Sequence, residues 1–398
     1  MGNDLITLCV LGATGSIGQQ TLSIARAFPE RIDVVALGAG RNMYSLARAV
    51  AEFRPEVVAV HGIPERDKLI NLLKESGGFR LPEIITGEES YEFLAVKSAT
   101  NTVLSAMSGA IGLAPTFAAL QAGKKVALAN KESLVLAGDF LMPLYKDQIF
   151  PVDSEHSAIF QSLGGTLCTK NVKKLILTAS GGPFRGKTFE ELALVTKEEA
   201  LKHPNWKMGP KITIDSATLL NKGFEIIEAH HLFQIPYDNI EVLVHPQSII
   251  HSMVEFQDGA IIGQLGSPDM RLAISYALSY PERWPLLTDK PHREFTGIAP
   301  VDFNIPLTFE KPDRDTFKCF SLAEKAGRVG GNAPVILNAA GEIGVQAFLE
   351  RRINLNQIAE LIQKTLQLIE FRSFTSVQDI LAEDLIARRT VKKILESL

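Results

Sequence analysis

The chain has 398 residues, of which 46% are hydrophobic and 22% are charged, and its net charge at pH 7 is −4. This length predicts two or three domains, each large enough to bury its own core, and the composition is that of an ordinary soluble globular protein. The small negative charge gives no electrostatic footprint for nucleic acid, and no apolar run approaches the ~18 residues of a membrane span.

Cysteine usage and the N-terminus indicate a cytoplasmic protein. Cys9, Cys168 and Cys319 are far apart and show neither metal nor disulfide spacing, which predicts a reducing compartment. A strand pattern begins by Leu5, so we expect no signal or transit peptide.

The first motif is a glycine-rich turn between a strand and a helix. A buried-strand pattern at 5–11 is followed by Gly-Ala-Thr-Gly-Ser-Ile-Gly at 12–18 and a helical pattern at 19–28. This context is typical of dinucleotide binding, because amides and the helix dipole face a pyrophosphate. The glycines recur at intervals of three and three residues, whereas intervals of two and three residues are commoner in such turns. A plain strand-to-helix turn is the alternative interpretation.

Arg41 indicates which dinucleotide is bound. After the second strand, 32–37, an NAD-binding unit would place an acidic residue for the ribose hydroxyls, but this chain has Gly-Ala-Gly-Arg-Asn at 38–42. An arginine there accommodates a 2′-phosphate, which predicts NADP(H). Alternatively, Arg41 is only a solvated residue at the start of a helix.

Alternating helical and strand patterns continue to residue 129 and predict a doubly wound, largely parallel sheet with ligands at the carboxyl ends of its strands. The strand at 125–129 ends in Asn-Lys-Glu-Ser at 130–133. Lys131 beside a carboxylate at this edge suggests contact with substrate. A helix-capping box beginning at Asn130 is the alternative.

An acidic pair follows the next strand, within Pro-Val-Asp-Ser-Glu-His at 151–156. In an extended or turning backbone, Asp153 and Glu155 point the same way and can converge on one cation. Such oxygen ligands suit Mg²⁺ or Mn²⁺. Acids in the first turn of a helix capped by Ser154 are the alternative.

A second polar cluster lies in the middle of the chain. The strand at 172–178 leads into Ser-Gly-Gly at 180–182, which suits a phosphate oxygen, although a tight turn would look identical. Further on, we expect Asp215 or Ser216 to cap a helix whose polar face carries Thr218, Asn221, Lys222 and Glu225. That face could simply be solvated, but Glu225 is well placed to be a third metal ligand.

The segment at 181–210 has little regular pattern beyond short helical turns, and we expect it to be a lid carrying His203, Trp206 and Met208. Alternatively, Trp206 and Met208 only pin a loop to the core.

Strand patterns at 240–244, 248–256 and 260–265 lack helical crossovers and predict an antiparallel or mixed sheet in an α+β domain. A proline-rich linker and four helices then complete the chain.

These features together require NADPH, a divalent metal and a phosphorylated substrate. They also resemble the 1-deoxy-D-xylulose-5-phosphate reductoisomerase family over almost the whole chain, and the combination is highly specific. The segments concerned are 12–18, 130–132, 151–156, Ser-Gly-Gly-Pro at 180–183, His-Pro-Asn-Trp at 203–206, Asp-Ser-Ala-Thr at 215–218, Asn-Lys-Gly at 221–223 and His-Pro-Gln-Ser at 245–248.

The resemblance implies an activity in two stages. The carbon chain of 1-deoxy-D-xylulose 5-phosphate would be cleaved and rejoined to give an aldehyde. NADPH would then reduce that aldehyde to 2-C-methyl-D-erythritol 4-phosphate, in the non-mevalonate pathway to isoprenoids. The family also implies a homodimer, with the central domain at its interface.

The resemblance assigns roles residue by residue. The metal ligands would be Asp153, Glu155 and Glu225. The carbonyl and hydroxyl end of the substrate would be contacted by Lys131, Ser154 and Glu155, and Glu225 would belong to the same site as a metal ligand. The phosphate would be held by Ser180, Ser216, Asn221 and Lys222. From the lid, the substrate would be met by His203 and Trp206. NADPH would be met by Thr14, Gly15, Ser16, Ile17, Gly40, Arg41, Asn42, Asn130, Glu132 and Gly209.

We expect an α/β protein with an N-terminal Rossmann-like NADP-binding domain at 1–150. A central α+β catalytic, metal-binding and dimerisation domain would follow at 151–282, with the lid at 181–210. The linker would span 283–312, and a C-terminal helical bundle would span 313–398.

The sequence departs from the family pattern at two positions. Arg41 stands where several members have lysine, which keeps the charge. Gly341 stands within a helical pattern where asparagine is usual, at a cost of about 0.5–1 kcal/mol in local helix stability.

Two other functions stay open from the sequence. An NADP-dependent sugar or polyol phosphate dehydrogenase would turn over without added metal. A non-catalytic dinucleotide sensor would need no cluster of acidic residues.

Overall fold

The computed structural model describes residues 5–78, 80–87, 89–206, 208–286 and 297–397. Lys207 of the predicted lid and residues 287–296 of the predicted linker lie outside these ranges. The chain forms two compact units, neither continuous in sequence. The first comprises Met1–Asn130, Tyr145–Ser157 and Asp269–Pro300, and the second comprises Lys131–Leu144, Ala158–Pro268 and Val301–Leu398.

The first unit contains a seven-stranded sheet in which every pairing is parallel. Its strand order is β4-β3-β2-β1-β5-β6-β7. The strands are β1 (Ile6–Leu11), β2 (Ile32–Ala39), β3 (Val57–Val60), β4 (Glu83–Thr86), β5 (Thr102–Ser105), β6 (Lys125–Leu128) and β7 (Ile149–Pro151). The strand order reverses beside β1, which opens a ligand crevice at the carboxyl ends of the strands. The predicted Rossmann-like fold is therefore confirmed.

Helices accompany these strands as the alternating pattern predicts. They are α1 (Ser16–Ala27), α2 (Met43–Phe53), α3 (Ile63–Ser76), α4 (Ser90–Val96) and α5 (Leu113–Gln121). The unit also includes α12 (Met270–Ser279), which the sequence analysis did not predict. Asp269 caps α12 by accepting a hydrogen bond from the Arg271 amide at 2.9 Å. Ile274, Ala277 and Leu278 of this helix are buried in the core of the first unit.

The second unit contains a four-stranded sheet in the order β11-β10-β8-β9. Its strands are β8 (Val172–Ala179), β9 (Ile240–Val244), β10 (Ile250–Phe256) and β11 (Ile261–Leu265). The β8–β9 pair is parallel, whereas β10 is antiparallel to both β8 and β11. The predicted mixed sheet is confirmed.

The helices of the second unit follow in chain order. They are α6 (Glu132–Tyr145), α8 (Phe189–Leu192), α9 (Lys197–Ala200), α10 (Pro210–Ala217), α11 (Leu220–Phe233), α13 (Lys318–Val329), α14 (Ala333–Leu349), α15 (Asn356–Leu368) and α16 (Val377–Glu396). Helices α13 to α16 form the predicted C-terminal helical bundle. Helix α7 (Ser154–Ser162) begins in the first unit. Within the described ranges, no helix is both long and apolar enough to cross a bilayer.

Close helix contacts depend on two glycines of the second unit. A Cβ atom at Gly341 in α14 would lie 2.8 Å from Leu220 Cδ2. A Cβ atom at Gly223 in α11 would lie 2.3 Å from the Cβ of Ala323 in α13. Helix α14 runs through Gly341 without a break, so this departure from the family pattern allows α14 to approach α11 closely.

We predict that Gly223→Ala destabilises the protein by about 1–3 kcal/mol, because the new methyl group overlaps Ala323 and one helix must shift. Urea unfolding followed by circular dichroism would measure the loss. Adding Ala323→Gly should recover part of it. A Gly223→Ala variant as stable as the parent would show that the two helices are less tightly packed than described.

Candidate functional site

The glycine turn after β1 packs too tightly for larger side chains. Gly12 has a φ of 88°, and a Cβ there would lie 2.4 Å from the carbonyl oxygen of Ala106. A Cβ at Gly18 would lie 2.3 Å from the Gly12 carbonyl oxygen. The turn therefore brings the N-terminus of α1 directly to the end of β1. Gly15 is the N-cap, and no described side chain caps this helix start, which leaves backbone amides to face an anion.

Arg41 and Asn42 follow β2, the neighbour of β1 in the sheet. The Asn42 side chain caps α2 by accepting a hydrogen bond from the Ser45 amide at 3.2 Å. Arg41 is exposed. Because β1 and β2 are parallel neighbours, this guanidinium lies at the same edge of the sheet as the glycine turn.

Asn130 fixes the loop after β5 at this edge. Its Nδ2 donates hydrogen bonds to the carbonyl oxygens of Met107 at 2.6 Å and Gly109 at 3.0 Å. A Cβ at Gly112 would lie 2.7 Å from the Asn130 side chain. Asn130 therefore has a structural role here, whatever further contact it makes with a cofactor.

The acidic pair lies at the start of a helix. The prediction of an extended or turning backbone at 153–155 is wrong in part, because α7 begins at Ser154. Asp153 Oδ1 accepts a hydrogen bond from the Glu155 amide at 3.3 Å and lies 3.3 Å from His156 Nδ1. Ser154 Oγ donates to Glu155 Oε2 at 2.5 Å. Both carboxylates are half-buried, and a helix N-terminus stabilises their negative charge.

In the second unit, Glu225 is almost completely buried among donors. Lys131 Nζ lies 3.3 Å from Glu225 Oε1, and Asn221 Nδ2 donates to the same oxygen at 2.5 Å. Lys222 pairs with Oε2 and also donates to the carbonyl oxygen of Thr178, at the end of β8, at 2.5 Å. Glu225 is 1% exposed, and both lysines are buried. Two ammonium groups and one amide therefore surround a carboxylate that is almost inaccessible to solvent, and they offset the cost of burying its charge.

The predicted N-terminus of the helix that carries Glu225 is wrong. Asp215 and Ser216 do not cap the helix that carries Glu225, because they lie at the end of α10. Pro210 follows the N-cap Gly209, which suits the first turn of a helix, and Leu219 then breaks the run with a φ of 57°.

Thr218 was also misplaced by the prediction. Its Oγ1 donates to the carbonyl oxygen of Ile214 at 3.1 Å, so it does not join the polar face of α11. Ser216 nevertheless lies beside the Ser-Gly-Gly turn, because a Cβ at Gly182 would be 2.7 Å from the Ser216 carbonyl oxygen.

His203 has a defined tautomer. The backbone amides of Asn205 and Trp206 donate to its Nδ1 at 3.2 and 3.0 Å. Nδ1 is therefore the acceptor, and Nε2 carries the proton that it donates to Ser180 Oγ at 3.0 Å. Burial lowers the pKa of His203 to about 4. This histidine is a neutral hydrogen-bond donor at physiological pH.

The turn at 203–206 is attached to the loop that carries His-Pro-Gln-Ser at 245–248. Asn205 Nδ2 donates to the Pro246 carbonyl oxygen at 2.6 Å and to Ser248 Oγ at 2.8 Å. The Trp206 ring lies 6.0 Å from that of His251. The sequence analysis did not identify Asn205.

The first part of the predicted lid is tied to the C-terminal helices. Capping boxes at Thr188 and Thr196 organise α8 and α9. Lys197 Nζ donates to the carbonyl oxygen of Leu349 at 2.7 Å, and Glu198 pairs with Arg351 at 2.5 Å.

Lys211 is a second charged residue that the sequence analysis did not single out. Its Nζ lies 3.0 Å from Glu132 Oε1 and 2.9 Å from Asp215 Oδ2. Burial opposes ionisation of Glu132, but Lys211 outweighs that effect and the pKa of Glu132 is lowered. Burial raises the pKa of Asp215 despite the same lysine. In the sequence, the ion pair was indicated only by the four-residue spacing of Lys211 and Asp215, which places both side chains on one face of a helix.

These features define an α/β oxidoreductase, with an NADP-type glycine turn in one unit and a buried lysine–glutamate cluster in the other. Three family models match the chain. "1-Deoxy-D-xylulose 5-phosphate reductoisomerase" matches residues 8–138, the C-terminal domain of that enzyme matches 149–233, and "DXP reductoisomerase C-terminal domain" matches 265–390.

Relatives and solved structures bearing the same name cover nearly the whole chain. The reductoisomerase of Heliobacterium modesticaldum is 48% identical over 386 residues, covering 96% of this chain and 95% of that protein. That of Caldanaerobacter subterraneus subsp. tengcongensis is 48% identical over 391 residues, covering 97% and 98%.

The Zymomonas mobilis enzyme in complex with NADPH superposes with a TM-score of 0.87 at 40% identity, covering 99% of this chain and 100% of that one. A complex of DOX-P reductoisomerase with NADPH, fosmidomycin and magnesium superposes with a TM-score of 0.88 at 38% identity, covering 98% of each chain. The chain therefore belongs to the 1-deoxy-D-xylulose 5-phosphate reductoisomerase family.

We predict that acid loosens the turn at 203–206 with a midpoint near the His203 pKa of about 4. Protonated Nδ1 cannot accept from two amides. Between an unfolded pKa of about 6.5 and this value, the unfolded chain binds a proton that the folded chain does not, so stability falls as pH falls through that window. Trp206 fluorescence in a Trp284→Phe background would report the opening.

The matched control is His203→Asn, whose side-chain oxygen can accept from the same amides but does not titrate. Carboxylates that titrate in the same range affect both proteins, so the difference between the two pH profiles isolates the histidine. A midpoint near 6.5, or identical profiles, would contradict the assigned tautomer.

Proposed function

We propose that this chain catalyses the NADPH- and divalent-metal-dependent isomerisation and reduction of 1-deoxy-D-xylulose 5-phosphate to 2-C-methyl-D-erythritol 4-phosphate, a step of isoprenoid precursor synthesis by the non-mevalonate route. The observation that carries the proposal is the buried cluster of Lys131, Lys222 and Glu225 in a chain whose other unit has an NADP-type turn. A plain dehydrogenase has no need of such a cluster.

The first unit fits NADPH. The uncapped start of α1 presents amides to the pyrophosphate, together with the side chains of Thr14 and Ser16. Arg41, exposed at the same edge of the sheet, supplies positive charge for the 2′-phosphate. Bound NADPH supplies the hydride that reduces the aldehyde. The remaining proposed contacts are Gly15, Ile17, Gly40, Asn42, Asn130, Glu132 and Gly209.

The donor set also fits a hard divalent cation. We assign Asp153, Glu155 and Glu225 as its ligands, because carboxylate oxygens are what Mg²⁺ and Mn²⁺ prefer. A cation held there would supply Lewis-acid polarisation of the substrate's oxygen atoms. Lys131 and Ser154 orient the carbonyl and hydroxyl end of the substrate by donating hydrogen bonds.

The phosphate of the substrate is assigned to the second unit. Ser180 begins the turn at Gly182, the Ser216 carbonyl oxygen lies beside that turn, and Asn221 and Lys222 follow at the start of α11. Because His203 Nε2–H donates to Ser180 Oγ, the serine hydroxyl hydrogen is directed elsewhere and can reach a phosphate oxygen. Trp206, beside this pair, covers the substrate and excludes water.

The segment at 181–210 is proposed as a lid within a catalytic domain at 151–282. His203 reaches Ser180 from this segment, and Trp206 lies three residues further along the chain. The NADPH-binding domain at 1–150, the linker at 283–312 and the helical domain at 313–398 complete the proposed organisation.

A homodimer is proposed through the central sheet. Strand β11 is at the edge of that sheet, and its Ile261, Ile262 and Leu265 are 55%, 48% and 42% exposed. An apolar open edge of this kind is suited to pairing with a second copy.

We assign the protein to the cytoplasm, since its three cysteines are free thiols.

The test of function follows NADPH absorbance with 1-deoxy-D-xylulose 5-phosphate as substrate, with and without Mg²⁺ or Mn²⁺. We expect oxidation of NADPH only with both substrate and metal. Turnover that survives a chelator would favour the sugar or polyol phosphate dehydrogenase. NADPH binding without turnover of any phosphorylated sugar would favour the dinucleotide sensor.

We predict that Glu225→Gln lowers metal-dependent turnover by about 100-fold or more, because even partners of a metal ligand matter by 10–100-fold. The Kd for NADPH should stay unchanged, since the proposed cofactor residues lie largely in the other unit. Calorimetry with Mn²⁺ and a substrate analogue would detect the lost metal affinity. Glu360→Gln, an exposed acid on α15, is the control. Unaltered Mn²⁺ affinity in Glu225→Gln would remove it from the ligand set.

We predict that Arg41→Asp shifts the ratio of kcat/KM for NADPH and NADH toward NADH. A charged hydrogen bond to the 2′-phosphate contributes about 1.5–3 kcal/mol, and the new carboxylate also repels that group. Arg48→Asp makes the same charge change at an exposed site on α2 and should leave the ratio alone. An equal ratio in both variants would show that the 2′-phosphate is recognised elsewhere.

A further inference from the structure

Glu132 is a buried acid at the start of α6, 5% exposed. Its Oε1 lies 3.0 Å from Lys211 Nζ, and Lys211 also binds Asp215 at 2.9 Å, one turn along α10. The ammonium group lies 5.8 Å from the ring centre of Phe224. Lys211 therefore holds the Glu132 carboxylate from α10, which begins after Gly209, another proposed cofactor contact.

Glu342 on α14 is a third acid close enough to affect this lysine. Helix α10 packs against α14. Burial alone would lower the pKa of Lys211, but Asp215, Glu132 and Glu342 outweigh it, and the pKa lies above its usual value. Glu342 attracts the same ammonium group that binds Glu132 and Asp215.

Arg388 on α16 balances the charge of Glu342. Its Nη2 lies 2.6 Å from Glu342 Oε2, and its Nε lies 2.5 Å from Asp384 Oδ2. Glu342 is 16% exposed and Arg388 is 26% exposed, so solvent screens this pair poorly. Without Arg388, the full charge of Glu342 would compete with Glu132 for Lys211.

We propose that Lys211 is a positioning residue for Glu132, and that Glu342 and Arg388 of the C-terminal helices set the affinity for NADPH through it. This inference rests on the proposed contact between Glu132 and NADPH. It gives the C-terminal helices a role in cofactor binding that is exerted through charge.

The test is a charge-compensation series with NADPH affinity measured by cofactor fluorescence on the full chain. Arg388→Leu should raise the Kd for NADPH about fivefold or more, the usual size of coupling between sites. Arg388→Lys, which keeps the charge, should bind more tightly than Arg388→Leu. Glu342→Gln added to Arg388→Leu removes the uncompensated acid and should restore most of the affinity.

Kinetics and melting temperature separate positioning from general damage. The KM for NADPH should follow the Kd through the series, while kcat at saturating NADPH changes little. Lys211→Met should weaken NADPH binding at least as much as Arg388→Leu. The melting temperatures show whether each variant folds, and the double variant tests the inference even if Arg388→Leu is less stable.

The outcomes are distinct. Weak binding in Arg388→Leu without recovery in the double variant would show only loss of structure and would overturn the inference. An unchanged Kd in Arg388→Leu, with a parent chain that binds NADPH, would overturn the inference alone. A parent chain that binds no NADPH would overturn the proposed function and this inference with it.

Discussion

The second unit is arranged around the burial of Glu225 beside two lysine side chains. A carboxylate that is 1% exposed is stable only with charged or hydrogen-bonding partners. Asn221 and Lys222 come from the same helix as Glu225, whereas Lys131 comes from a distant part of the chain. Lys222 also binds the end of β8 through Thr178. The start of α6, the turn after β8 and the first turn of α11 are thereby held together, and these are the segments to which substrate contacts are assigned.

Uncharged hydrogen-bonding groups are also held in fixed positions in this unit. His203 donates to Ser180 because its other nitrogen is occupied by two backbone amides. A cationic histidine would add charge near the proposed phosphate site but could not accept from those amides. In this arrangement the neutral histidine orients a hydrogen bond, and the lysines supply the positive charge.

The parts of the fold set by local pattern were predictable from the sequence. Apolar runs bounded by glycine or polar residues located the parallel strands, and amphipathic periods located the C-terminal helices. Asp215 and Ser216 were misplaced because a left-handed Leu219 separates two helices within one periodic segment. Helix α12 was not predicted, because its place in the first unit depends on contacts with residues more than a hundred positions earlier in the chain. Lys211 was missed for a similar reason, since its partner Glu132 lies 79 residues earlier.

The discontinuity of the first unit bears on how the protein is made. Ile274, Ala277 and Leu278 belong to the same core as β1, yet the ribosome produces them after most of the second unit. Lys125, at the start of β6, donates a hydrogen bond from Nζ to the carbonyl oxygen of Leu278 at 3.0 Å. This bond also cannot form until Leu278 has been synthesised. A nascent chain ending near residue 150 would therefore expose apolar surface that α12 later covers. The seven-stranded sheet is synthesised first, but the core of its unit is completed only after α12 has been made, with residues 158–268 of the second unit in between.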